Sequence, residues 1–273
     1  MQIVTFRCFI VISALACSTT MALAHEFWLD PNSFEVKPGE QINAMLLVGQ
    51  MMRGTEYPYL SSGFHSFTIT TKNGTRDVKG MEGDIPALSY TAMIKGLHLI
   101  NYNSTANEVT YNNWEEFLKY LAYEGLDDFA KIHIDRGLSD SDFKESYVRY
   151  AKTLVQVGPV NTQDQDKAKG LPFELVAKNN PYQPGLESLV VTLLRSGQAV
   201  AGRQIAIFHY DKDVSRNLVT TDKNGEAEIV IKNGGIFLLN AVDLLPVDEG
   251  RIVWTSNWAS LCFGIPSVSQ LIQ

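Results

Sequence analysis

A period of two in the hydrophobic pattern constrains this chain most. Between Phe34 and Val48 the text FEVKPGEQINAMLLV reads as a strand, a Pro-Gly turn and a second, more apolar strand. Alternation of this kind suits a sheet packed on one side. The string FHSFTITT follows, with Lys72-Asn73-Gly74-Thr75 as a hairpin turn, and then GLHLINYNS and EVTYN. Residues 25–112 therefore read as mostly β. After the polar stretch NTQDQDKAKG the alternation returns in LPFELVAK, LESLVVTLLRSG, QAVAGRQIAIFHYD and NLVTTDKNGEAEIVIKNGGIFLLNAV. Within the last of these, Thr221 to Glu226 form a turn in which Asn224-Gly225 suits positive φ.

Between the β regions the period changes. In NWEEFLKYLAYEG, Trp114, Phe117, Leu118 and Leu121 fall at i, i+3, i+4 and i+7. Asn113 can cap this helix, Glu116 can complete a capping box and Gly125 can stop it. A second helix is expected in SDSDFKESYVRYAKTLVQVGP, on the stripe Phe143, Tyr147, Ala151 and Leu154, ended by Gly158-Pro159. The expected fold is mainly β, with two β-sandwich regions resembling Ig-like or transthyretin-like modules, at residues 25–112 and 170–263, and a helical insertion at 113–158.

The apolar run from Cys8 to Cys17 is shorter than the roughly 20 residues that cross a bilayer. With Arg7 before it and Ala22-Leu23-Ala24 after it, the run reads as a secretory signal peptide, residues 1–24, cleaved to leave His25 first. Removing it deletes one basic residue and no acid, so 22 basic and 30 acidic residues remain and the formal charge moves from −7 to −8. Such a chain lacks the basic surplus that nucleic-acid binding requires. Two of three cysteines also go, leaving Cys262 between Leu261 and Phe263. No disulfide can form within the processed chain, and Cys262 reads as a small buried hydrophobe.

His25 is the most informative position for chemistry. An N-terminal histidine offers its α-amine and Nδ1 to one metal in a six-membered chelate ring, and both nitrogens become available near neutral pH as the metal displaces protons. Nitrogen donors favour copper, nickel, cobalt or zinc over calcium and magnesium. Further ligands are sought among His65, His98, His133 and His209, none at zinc-finger or helical spacing. His65 shares a strand face with Phe67 and Ile69, and His209 one with Asp211, so His209 and Asp211 are expected to project together at a strand end. The chain carries no G-x-S-x-G, H-E-x-x-H, Walker A or G-x-G-x-x-G, and no enzyme is expected.

Several strings in order resemble a bacterial periplasmic family catalogued as a domain of unknown function and often described as a component of cobalt or nickel uptake systems. They run from HEFWLDP through LLVGQ, YEGL, ESYVRYAKTLVQVG, LPFELVAKNNPY and TDKNGEAEIVI to WTSNWASLCF. The resemblance implies a periplasmic or secreted, non-enzymatic metal-handling protein whose partner is a membrane metal transporter or an outer-membrane receptor. The cofactor would be a divalent transition metal, nickel or cobalt, with copper or zinc as alternatives. His25 transfers most directly, with Glu26, Phe27 and Trp28. Where relatives tend to read tryptophan and then histidine after the glycine turn, GGIFLLNAVD has Phe237 and Asp243, so a site built on that histidine is here absent, shifted or completed by the Asp243 carboxylate. The expected metal set is thus His25, His209, Asp211 and Asp243. Two rival readings remain. One is a metal-free ligand-binding or adhesion module of the cell envelope using Tyr57, Pro58 and Tyr59; the other is a histidine-brace copper oxygenase built on His25.

Overall fold

The computed structural model describes residues 25–266; the expected signal peptide lies outside them. The chain opens with β1 (Glu26–Pro31), β2 (Glu35–Val36), β3 (Gln41–Gln50), β4 (Arg53–Tyr57), β5 (Phe64–Thr71), β6 (Gly74–Asp77), β7 (Leu88–Thr91), β8 (Gly96–Ser104) and β9 (Asn107–Tyr111). Two helices follow, α1 (Trp114–Glu124) and α2 (Asp128–Asp135). The chain then continues as β10 (Phe143–Val157), β11 (Phe173–Ala177), β12 (Ser188–Arg195), β13 (Gln198–Ala199), β14 (Gln204–Tyr210), β15 (Val214–Thr220), β16 (Glu226–Val230), β17 (Gly235–Glu249) and β18 (Ile252–Ile265).

One ten-stranded sheet runs through both β regions in the order β15-β14-β17-β18-β10-β8-β5-β6, with β2 and β9 also pairing β10. Two smaller sheets cover it, one of β1, β3, β4 and β7, the other of β11, β12, β13 and β16. The molecule is thus mainly β, two sandwich regions that share a continuous central sheet, with a helical insertion between them.

The parity of β10 explains how one strand serves two cores. Ala151, Val155 and Val157 pack with Phe27, Leu29 and Ile42 of the N-terminal sheet. Tyr150 and Leu154, on the opposite face, pack with Leu175, Leu189 and Val191 of the C-terminal sheet. Alternate residues of a strand point to opposite faces, so the two covering sheets lie on opposite sides of the central one.

This strand corrects the helix expected over residues 139–159. The stripe Phe143, Tyr147, Ala151 has a spacing of four, a multiple of two, and satisfies a strand face as well as a helical one. Burial on both faces and the β-branched Val148, Thr153, Val155 and Val157 favour the strand, which runs parallel to β18 from Lys144 opposite Ile252 to Thr153 opposite Cys262. The second helix lies earlier, at Asp128–Asp135. The first forms as expected: the Asn113 side chain accepts from the Glu116 amide, and Gly125 ends the helix at φ 68°. In the 221–226 turn only Gly225, not Asn224, takes positive φ, and Asp222 accepts from the amides of Asn224 and Glu226.

Candidate functional site

The expected metal residues occupy separate places. His209, on β14, stacks on Phe237 with ring centroids 4.4 Å apart, and its Nε2 is 2.8 Å from the Gly234 carbonyl. A Cβ at Gly235 would come 2.5 Å from that Nε2, so glycine is what lets the β17 entry pass the ring. β14 ends at Tyr210, so Asp211 falls in the bend that follows rather than on the strand. Asp211 lines a hollow with Ser33, Glu35 and Pro266. Asp243 is fully buried and held bidentately by Arg195, its Oδ2 2.6 Å from Nε, with an Arg203 Nη2 3.8 Å away. A carboxylate engaged by two guanidiniums has little charge left for a cation. Among the described residues, no group of three or more His, Cys, Asp and Glu is placed to hold a metal ion.

His25 stands apart from these three. Half-buried just before β1, it lines a wide, open hollow of about 810 Å³ with Gln50, Arg53, Thr55 and Tyr57. Arg149 Nη2 donates to its carbonyl at 3.3 Å, fixing the start of the strand. Tyr57 is 48% exposed on this hollow, whereas Tyr59 is buried against Phe64 and Phe67. The Tyr57-Pro58-Tyr59 surface is therefore narrower than its sequence implies.

Of the other histidines, one is exposed and two are buried. A bulge between Phe64 and Ser66 turns His65 out to solvent while Phe67 and Ile69 stay buried, so the three do not share a face. His98 is fully buried with Nδ1 3.1 Å from the Gly96 carbonyl, and burial lowers its pKa. His133 accepts from Trp254 Nε1 at 3.0 Å, and its Nε2 is 2.8 Å from the Ser139 carbonyl. Cys262 is fully buried, and its thiol pKa is pushed well up by burial.

The most perturbed chemistry lies beneath α1, outside the expected metal set. Three buried carboxyl groups lie there, Glu26 of β1, Glu124 of α1 and Glu145 of β10, with Glu124 feeling the charge of both others. Glu145 accepts from Tyr111 at 2.9 Å, from Tyr120 at 3.4 Å and from Ser256. Burial still raises its pKa to about 7, the three donors opposing the rise. Glu124 is pushed to about 8, first by burial and next by Glu26, against the pull of Arg216. The Glu26 Oε1 accepts from Tyr123 at 3.2 Å, while its Oε2 is buried without a hydrogen-bond partner. A signal existed: Glu124 sits seven residues after Phe117 and three after Leu121, so it extends the apolar stripe of α1. Glu145 becomes visible only when its segment is read as a strand, on the same face as Phe143 and Tyr147.

Residues 22–243 match the family model described as a domain of unknown function, DUF4198. The chain belongs to that family. The matched span includes His25, His209, Asp211, Asp243 and all three buried glutamates, and it stops before β18, which supplies Ser256 beneath α1. No curated protein matches the sequence. Among solved structures, this DUF4198 chain is similar to a "D0-D1 domain of Intimin" at 14% identity and a TM-score of 0.20, covering 87% of this chain and 97% of that one. No helix among the described residues is long and apolar enough to cross a membrane.

Proposed function

We propose that this family member is a periplasmic, non-enzymatic accessory protein that binds a divalent transition metal, nickel or cobalt, through His25 and passes it to a membrane transporter or outer-membrane receptor. The observation that carries the reading is the position of His25, at the head of β1 on the wall of an open hollow. Cleavage after Ala24 would create an α-amine there beside the imidazole, giving a two-nitrogen chelate that a solvated or already chelated metal can reach. His209, Asp211 and Asp243 lie elsewhere, so the remaining coordination positions belong to water or to groups that arrive with the metal.

The test compares protein beginning at His25 with protein extended by one alanine, titrating nickel, cobalt, copper and zinc into each. The extension should weaken binding about tenfold or more, each tenfold being roughly 1.4 kcal/mol. Equal affinity in both would overturn the reading. A metal-free binding or adhesion role is the second reading, favoured by exposed Tyr57 on the same hollow and by β4, an edge strand whose five residues are all exposed. Capture of a polypeptide by metal-free protein, lost on Tyr57→Ala, would support it.

A further inference from the structure

A second hollow, of about 400 Å³, lies between the N-terminal sheet and the β14–β15 hairpin. Its volume falls within the range of about 300–1,000 Å³ common to small-molecule pockets. Met52 and Ile236, both partly exposed, give its mostly polar lining a small apolar patch over the buried Trp28. Four charged groups complete it: Asp30 and Arg53 from one side, Lys212 and Asp213 from the other. None of the four belongs to an ion pair among the described residues, although two charges of each sign share one hollow. Asp30 is half-buried, and burial, with no opposing partner, raises its pKa, which marks it as a carboxylate that a cation would stabilise.

The backbone beside this hollow is held in an uncommon conformation. Met51 and Met52, at the β3–β4 turn, both adopt left-handed φ, at 52° and 55°. Each costs an L-residue roughly 1–2 kcal/mol, and the two-residue hairpin that joins Gln50 to Arg53 requires both. The same turn lays Gly54 on Trp28, where a Cβ would approach the indole to 2.8 Å. Hairpin and indole together set Met52 and Arg53 along the wall.

We infer that this hollow is a binding site for a small zwitterion with an apolar side chain, a free amino acid or a dipeptide. Its ammonium pairs with Asp30, its carboxylate with Arg53 and Lys212, and its side chain lies on Met52 and Ile236. A ligand bearing one charge leaves half of the wall uncompensated, whereas a zwitterion satisfies both signs at once.

The experiment is isothermal titration calorimetry on metal-free protein carrying the extra alanine before His25, so that the His25 chelate plays no part. Leucine, phenylalanine and leucyl-leucine are titrated beside the singly charged analogues isoamylamine and isocaproate. A zwitterion should bind more tightly than either analogue. Asp30→Asn should weaken the zwitterion and the amine about tenfold while leaving the acid unchanged; Arg53→Gln should weaken the zwitterion and the acid, roughly 1.4 kcal/mol in each case. Circular dichroism and urea melting establish that both variants are folded. Absence of binding by every zwitterion at millimolar concentration, or unchanged affinity in both variants, would overturn the inference while leaving the His25 reading intact.

Discussion

Replacing Glu124 by glutamine should stabilise the protein, and more so as pH rises. The folded carboxyl has a pKa near 8 against an ordinary value of 4.5. Above pH 4.5 the unfolded chain releases this proton while the folded chain keeps it. The folded state then binds more protons, and stability falls by about 1.4 kcal/mol per pH unit until the folded pKa is reached. At pH 7 that amounts to roughly 3 kcal/mol, and at pH 5 to about 1 kcal/mol. Glutamine resembles the protonated acid in shape, stays neutral in both states and removes the dependence. Against a net stability of about 5–15 kcal/mol the effect is large. Urea unfolding followed by tryptophan fluorescence reads it, because Trp254 and Trp258 lie in the hydrophobic cluster under α1. With a slope near 3 kcal/mol per M, the midpoint at pH 7 should rise by about 1 M relative to wild type. A shift of the same size at pH 5 and pH 8, or a fall in stability at both, would refute the argument that a buried, proton-retaining carboxyl lies here.

Three further outcomes follow from other parts of the fold. Lys152 Nζ is buried, 2.9 Å from both carboxylate oxygens of Asp166 and from the Leu175 carbonyl and 4.0 Å from Glu174, so Asp166→Ala should cost about 3 kcal/mol in chemical denaturation by leaving the ammonium only the more distant carboxylate. Installing an Asn-Gly turn with Met51→Asn and Met52→Gly should relieve the left-handed strain and add about 1–2 kcal/mol, read as a higher melting temperature, while weakening the ligand site that Met52 lines. Cys262 should resist thiol reagents in the native protein and react fully in denaturant; rapid native labelling would contradict its burial.

The sequence by itself determined the fold class and most of the strands, because a period of two and turn residues such as Lys72-Asn73-Gly74-Thr75 act locally, as did the cap and stop of α1. Its failures have a common physical origin. Four-residue spacing serves helix and strand alike, so β10 was legible only through its neighbours, whose burial of both its faces selects the extended form. One residue's bulge at Phe64–Ser66 turned His65 off the face assigned to it, and the end of β14 at Tyr210 left Asp211 in a bend. Tertiary structure alone decided which charges meet. Asp243 finds Arg195 from 48 residues away, and Glu26, Glu124 and Glu145 gather from three elements beneath one helix. Burial and pairing between segments distant in sequence set those charges, and no local pattern encodes them.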